Sequence, residues 1–238
     1  MKRNIVVKIG GSLLFKKENS IDTEKIKQLG TILQNQEHIG KCVVVCGGGI
    51  LARNYIDVVR EFQSNEALCD IIGIKVSRIN SLLFISYLKD MAYPVVPESM
   101  EQLAKALLSK KIVVMGGLQP GQSTTSVALE VGEYINASQI VILTDVDGIY
   151  DKDPRKEKDA KLMKSLTPQQ LQDLILSPQD TGQAAAGEYR IFDAVSLQIL
   201  KRSHIPVRVM NGNKTEQFQK FWNGNEKVTH TLITPHKS

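Results

Sequence analysis

Four times along this chain an apolar, β-branched run stops at glycine or at a turn that carries one. Ile5-Val6-Val7-Lys8-Ile9 runs into Gly10-Gly11-Ser12, and Cys42-Val43-Val44-Val45-Cys46 into Gly47-Gly48-Gly49. Ile112-Val113-Val114-Met115 runs into Gly116-Gly117, and Ile140-Val141-Ile142-Leu143 into Thr144-Asp145-Val146-Asp147-Gly148. Short continuous apolar runs read as strands buried on both faces of a parallel sheet. Glycine directly after such a strand lets backbone N–H groups approach a ligand at the strand ends, where open α/β sheets bind their ligands. Several such loops point to a large anion, a polyphosphate before others.

Helical patterns fill the intervals. They run from Ser20 or Asp22 to Gln34, from Ile50 to Val59, from Asp70 to Met91, from Glu98 to Leu108 and from Thr124 to Tyr134. Further ones cover Leu162 to Leu176, Asp193 to Ser203 and Thr215 to Trp222. Tyr93 to Pro97 reads as a short edge strand, where proline is tolerated. Pro206 to Met210 and Thr229 to Thr234 read as the last strands. Strands alternating with helices mean βαβ units and a mostly parallel sheet covered on both faces. The 238 residues allow one large α/β domain or two intimate lobes, with a soft boundary near Thr144.

Composition narrows the function classes. Aromatics are 5% of residues and no run of five or more basic residues occurs, so no nucleic-acid partner is expected. The net charge of +5 fits anionic ligands and fits a plain solvated surface equally. Cys42, Cys46 and Cys69 make no disulfide framework and read as reduced core thiols. No stretch is long enough to span a bilayer, and the N-terminus carries a strand pattern. The expectation is a cytoplasmic protein with no membrane partner.

Lys8-Ile9-Gly10-Gly11-Ser12 puts an ammonium at the end of a buried strand, beside glycine amides. Phosphoryl transfer needs mainly positioning and positive charge, which such a set supplies. A tight strand–helix turn with an exposed lysine is the other reading. Gly47-Gly48-Gly49 feeds a helix N-terminus, an anion nest, with Arg53 one turn inside and able to reach a phosphate. A turn with a surface arginine is the alternative. Gly116 to Thr125 lacks the GK[ST] ending of a P-loop, but it is hydroxyl-rich and leads into a helix. The segment Thr144 to Pro154 is either turn-forming aspartates or an acidic turn that, with Tyr150, holds a base and ribose. His38, His204, His230 and His236 show no metal-ligand spacing, so no protein-held metal is expected. Any metal would be Mg²⁺ carried in with ATP.

Taken together and in this order, the four segments resemble the amino acid kinase superfamily, and within it the archaeal-type UMP kinases. The stretches that carry the resemblance are Gly47 to Tyr55, Asp70 to Asn80, Met91 to Pro97, Gly116 to Thr124, Thr144 to Pro154 and Ala186 to Ala194. The resemblance implies a three-layer αβα sandwich that moves the γ-phosphoryl of ATP onto UMP. It implies one domain over 1–238, with an acceptor lobe to about 143 and an ATP lobe from about 144. By position, Gly10, Gly11, Gly49 and Arg53 would contact ATP phosphates, and Thr144, Asp145, Tyr150 and Asp153 the adenosine end. Gly48, Asp70 at a helix start, and Leu118, Gln119, Pro120, Gly121, Gln122, Ser123 and Thr124 would bind UMP. Lys8 and Arg53 would be catalytic, and Arg78 would add charge near the acceptor phosphate. A homohexamer built from dimers is implied, with Ile71 to Leu88 as a candidate interface or else plain core. Two positions depart from the pattern: Ser126 stands where many relatives have aspartate, and Ala194 follows Asp193 in place of proline. Another small-phosphate kinase, such as an isopentenyl phosphate kinase, and a non-catalytic oxyanion-binding protein are the alternatives on this scaffold.

Overall fold

The computed structural model describes residues 2–16, 18–35, 37–176 and 191–235. The stretch Ala186 to Arg190, which carries part of the resemblance, lies outside the described residues, as does His236. Seven strands form one sheet: β1 (Arg3–Ile9), β2 (Ile39–Cys46), β3 (Val113–Met115), β4 (Gln139–Thr144), β5 (Ser165–Leu166), β6 (Val207–Asn211) and β7 (Thr231–Ile233). Their spatial order is β3-β2-β1-β4-β6-β7-β5. All pairs are parallel except β6 with β7. The three-layer α/β class expected from the strand–glycine pattern is the one observed.

Alternation along the strands sorts the core into two halves. Ile5, Val7, Ile9, Val44, Cys46, Val141 and Leu143 face α1 (Thr23–Gln34), α3 (Glu66–Leu88) and α8 (Thr215–Trp222). Val6, Val43, Val45, Ile140 and Ile142 face α4 (Met100–Ala106), α5 (Thr124–Tyr134), α6 (Pro168–Leu176) and α7 (Ala194–Ser203). Because both faces are covered, the strands are apolar throughout, which is why they are legible as unbroken runs. Lys8 pairs in register with Val45 and Ile142, so it is the one charged residue in an otherwise aliphatic row.

Caps set the helix starts. Asp22, Asn65, Ser99, Ser123 and Asp193 each accept a backbone N–H near the start of the helix that follows. Ala194 is therefore the first residue of α7, a position that tolerates proline and does not require it. Three expectations need correction. The helix expected from Leu162 begins only at Pro168, because Ser165–Leu166 pairs with β7 as β5 and Leu162 bridges to Tyr150. Tyr93 to Pro97 is not a strand: only Ala92 bridges to Ile112, because Pro94 and Pro97 have no N–H to give a ladder. Asp70 is not at a helix start either. The cap Asn65 begins α3 four residues before the expected start, which places Asp70 in its second turn.

Candidate active site

Strand order decides the site. β3, β2, β1 and β4 are adjacent and parallel, so the loops that leave their C-terminal ends line up along one edge. In spatial order they are Gly116-Gly117, Gly47 to Gly49, Gly10-Gly11 and Asp145 to Gly148. The units of β2, β1 and β4 meet backbone to backbone. Gly47 N donates to Ile9 O at 2.9 Å, and Gly10 N to Leu143 O at 2.8 Å. A Cβ on Gly11 would lie 2.0 Å from Gly49 N, so only glycine lets these loops touch. Gly48 caps α2 (Gly49–Glu61), and Asn80 of α3 donates to Gly47 O at 2.8 Å and to Gly48 O at 3.2 Å. Arg53 is exposed on the first turns of α2.

Lys8 lies beneath this seam. Burial lowers its pKa to about 8, and the nearby Asp145 carboxylate and Cys46 thiol partly counter that effect. At pH 7 the amine is still an ammonium. Cys46 is itself pushed up to about 12 by burial and stays a thiol.

The loop 118–124 is held from below by α3 and from behind by α7. Asp70 accepts from Gly121 N at 2.8 Å, which joins two elements that the sequence keeps fifty residues apart. Gln122 Nε2 donates to Glu130 at 2.6 Å. Ser123 caps α5, of which Thr124 is the first residue. Leu118 is half-buried, while Gln119, Pro120 and Gly121 are exposed. Arg78 does not stand free for a phosphate. Its guanidinium donates to Gly117 O at 3.1 Å and Leu118 O at 3.3 Å, and pairs with Glu98 at 2.5 Å.

The Ser126 departure has a local answer. Ser126 Oγ donates to Asp193 at 2.7 Å, and the same carboxylate accepts from Ser123 N at 3.0 Å and Ser196 N at 2.6 Å. Burial alone would raise the Asp193 pKa. The hydrogen bonds from Ser123, Ser126 and Ser196 outweigh it and hold the carboxyl below its usual range. Asp193 thus puts one negative charge where the N-termini of α5 and α7 meet, and each helix end favours an anion. The sequence marks Asp193 as a helix start and as the residue before the Ala194 departure, without its tie to Ser126. The signal available was its place as a cap, three residues before Ser196.

On the β4 side, Thr144 is buried, and its hydroxyl donates to Asp145 at 3.3 Å. Asp145 pairs with Arg155 at 2.6 Å. Asp147 accepts from Asn211 at 3.0 Å and Lys214 at 2.8 Å. Tyr150 bridges to Leu162 across a solvent-facing excursion. Asp153 stands on that excursion and accepts from Arg155 N at 3.0 Å, a turn-forming contact. Asp145, Asp147 and Asp193 are each committed to a partner within the chain. Among the described residues no cluster of histidine, cysteine, aspartate and glutamate side chains converges on a metal site, and no helix is long and apolar enough to cross a membrane.

Four glycine-bearing loops at one edge of the sheet, with a half-buried lysine below them, suit a phosphotransferase scaffold. The chain is a member of the amino acid kinase family, whose model matches residues 3–211. Its relatives are narrower in kind. It is 42% identical to a uridylate kinase of Methanobrevibacter smithii over 96% of this chain and 98% of that one. It is 40% identical to a uridylate kinase of Sulfolobus acidocaldarius over 97% and 99%. The crystal structure of the uridylate kinase of Archaeoglobus fulgidus superposes with a TM-score of 0.82 at 32% identity, covering 98% of this chain and all of that one.

Proposed function

We infer that this chain is a nucleoside monophosphate kinase that transfers the γ-phosphoryl of MgATP to UMP, giving ADP and UDP. The observation that carries this reading is the alignment of four glycine-bearing loops over the Lys8 ammonium. The near full-length likeness to uridylate kinases supports UMP as the acceptor.

The roles follow from charge and placement. The second pKa of a phosphate monoester is about 6, so the acceptor is already a nucleophile at pH 7 and needs no general base. A phosphate oxygen of UMP attacks the γ-phosphorus in line, the Pγ–O bond to ADP breaks, and charge builds on the equatorial oxygens. Lys8, Arg53 and the amides of Gly10, Gly11 and Gly49 neutralise that charge. Thr144, Asp145, Tyr150 and Asp153 form the adenosine side. Gly48, Asp70 and residues 118–124 form the UMP side. The division is an acceptor lobe to about residue 143 and an ATP lobe beyond it. Mg²⁺ enters as part of the MgATP substrate and is held by phosphate oxygens, since the nearby carboxylates are engaged within the chain.

Association is part of the reading. α3 is apolar on both sides: Val76, Phe84 and Leu88 are buried, while Ile79 is 53% and Leu82 50% exposed. A helix apolar all round is normally covered on all sides. Tyr55, Val58 and Phe62 of the adjoining hairpin, also exposed, extend the patch. A second copy packed here, and three such dimers in a hexamer, is the assembly we propose. The buried cysteines Cys42, Cys46 and Cys69, none of them in a disulfide, support a reducing, cytoplasmic setting.

The deciding experiment offers purified protein MgATP with UMP, CMP, dUMP or isopentenyl phosphate and follows ADP release. UMP-dependent ADP release is the expected result. Turnover of isopentenyl phosphate without turnover of UMP, or no acceptor-dependent ADP at all, overturns the assignment. Sedimentation of the wild type and of Ile79→Glu tests the α3 interface.

A further inference from the structure

The loop between β3 and α5 starts in an unusual way. Two successive carbonyls near its start, of Gly117 and Leu118, both turn toward the Arg78 guanidinium, at 3.1 and 3.3 Å. The same side chain reaches Glu98, through its carboxylate at 2.5 Å and its carbonyl at 3.4 Å. One residue earlier on α3, Ser77 Oγ accepts from Gly117 N at 2.8 Å. A Cβ on Gly116 would lie 2.5 Å from that Oγ, so the loop is seated directly on the helix.

A trans peptide is planar, and its C=O and N–H point in opposite directions. Turning the Gly117 and Leu118 carbonyls toward Arg78 therefore turns the N–H groups of Leu118 and Gln119 away from it. Neither N–H donates to another described group. Asp70 fixes the far end of the same loop through Gly121 N. Two adjacent donors are thus held outward between two anchored points, with a half-buried cation behind them. The Arg78 side chain is only 17% exposed, so solvent screens its hold on the carbonyls weakly.

We propose that Arg78 is a positioning residue for the acceptor: by claiming the Gly117 and Leu118 carbonyls it presents the Leu118 and Gln119 N–H groups to acceptor oxygens of the nucleotide monophosphate. The proposal rests on the reading of 118–124 as the UMP loop. The oxygens are either the carbonyls of the pyrimidine or those of the phosphate. Lysine cannot replace Arg78, because a point ammonium lacks the planar fork that serves two carbonyls and a carboxylate together.

The test is Arg78→Ala beside Arg78→Lys, assayed with UMP, CMP and ATP, together with amide hydrogen exchange in the absence of substrate. KM for UMP is expected to rise roughly ten- to a hundredfold while KM for ATP stays at the wild-type value. Arg78→Lys recovers only part of the loss. The Gly117 and Gly121 amides exchange faster in both variants. If the two N–H groups read the base, the preference for UMP over CMP falls in the variants; if they hold the phosphate, both substrates lose the same factor. An unchanged KM for UMP, or both KM values rising together, overturns the proposal. Unchanged exchange at Gly117 and Gly121 also overturns it, and that readout stands even if the wild type does not phosphorylate UMP. Should Arg78→Ala fail to fold, Arg78→Lys answers both questions.

Discussion

The loop after β3 and the segment after β4 flank the same seam, yet they are held by different forces. The loop 116–124 is tied down by part-buried side chains on helices: Ser77, Arg78 and Asp193 each grip its backbone. The segment 144–161 has one buried tie, Ile149 N donating to Thr231 Oγ1 at 2.8 Å, and beyond it is held largely by ion pairs at the surface. Asp145 with Arg155 and Asp147 with Lys214 are partly exposed, and Lys152 with Asp159 is open to solvent. Surface pairs of this kind contribute about 0–1 kcal/mol and weaken with salt, whereas shielded hydrogen bonds hold geometry. The loop 116–124, the acceptor side in the proposed function, is therefore the more preorganised, and the segment 144–161, the proposed donor side, the more adaptable. A rigid acceptor site suits an enzyme that must choose one monophosphate. An adaptable donor side suits one that must admit and release ATP and ADP.

Experiments can break or sharpen this contrast. Lys8 lies at the seam and serves both sides, so Lys8→Met is expected to lower kcat by roughly 10²–10³-fold with either substrate saturating. The same variant should melt roughly 2–4 °C higher at pH 7, because a lysine desolvated by burial is gone. The sign follows from the lowered pKa. Between about 8 and the ordinary 10.5 the folded state binds fewer protons than the unfolded one, so the Lys8 penalty is full below about 8 and fades above it. The melting gain should shrink as pH rises from 8 to 10.5, and wild-type kcat/KM should fall above about 8. A flat pH profile through that range would show that the Lys8 charge is not used.

Gly11→Ala attacks the seam itself by driving a methyl into Gly49, and should cost about 3 kcal/mol in urea unfolding. Arg53→Ala should cut turnover sharply with an unchanged melting curve, and near-normal turnover would move the phosphate contact elsewhere. On the acceptor side, Ser126→Asp sets two carboxylates against each other where one hydrogen bond stood. It should cost about 1–3 kcal/mol and recover as pH drops and one carboxyl protonates. On the donor side, Arg155→Ala should change stability by less than about 1 kcal/mol. A loss as large as that of Ser126→Asp would erase the distinction between the two sides.

Much of this was legible in the chain. The four strand–loop units, the helices from Thr124 to Tyr134 and from Thr215 to Trp222, and the caps Asp22 and Ser123 are local. Each depends on residues within a few positions of one another, so periodicity and capping chemistry reveal them. The family is legible in the order of those motifs. Two local readings failed where a longer-range partner was decisive. Asp70 reads as a helix start, whereas Asn65 caps α3 and the Asp70 carboxylate holds Gly121. Arg78 looked like a spare positive charge, and its guanidinium is spent on Gly117 and Leu118 some forty residues later.

The sequence by itself determined that this chain builds parallel strands ending in anion-friendly loops, and that a lysine lies at the end of the first. Only the folded layers decide that β3, β2, β1 and β4 stand side by side and that Lys8 is half-buried, with its pKa lowered by desolvation. They also decide that Ser126 finds Asp193. The physical reason is separation along the chain. Hydrophobic period and capping act within one turn or one strand, while strand order, desolvation and pairings between residues 67 positions apart exist only once the layers have closed.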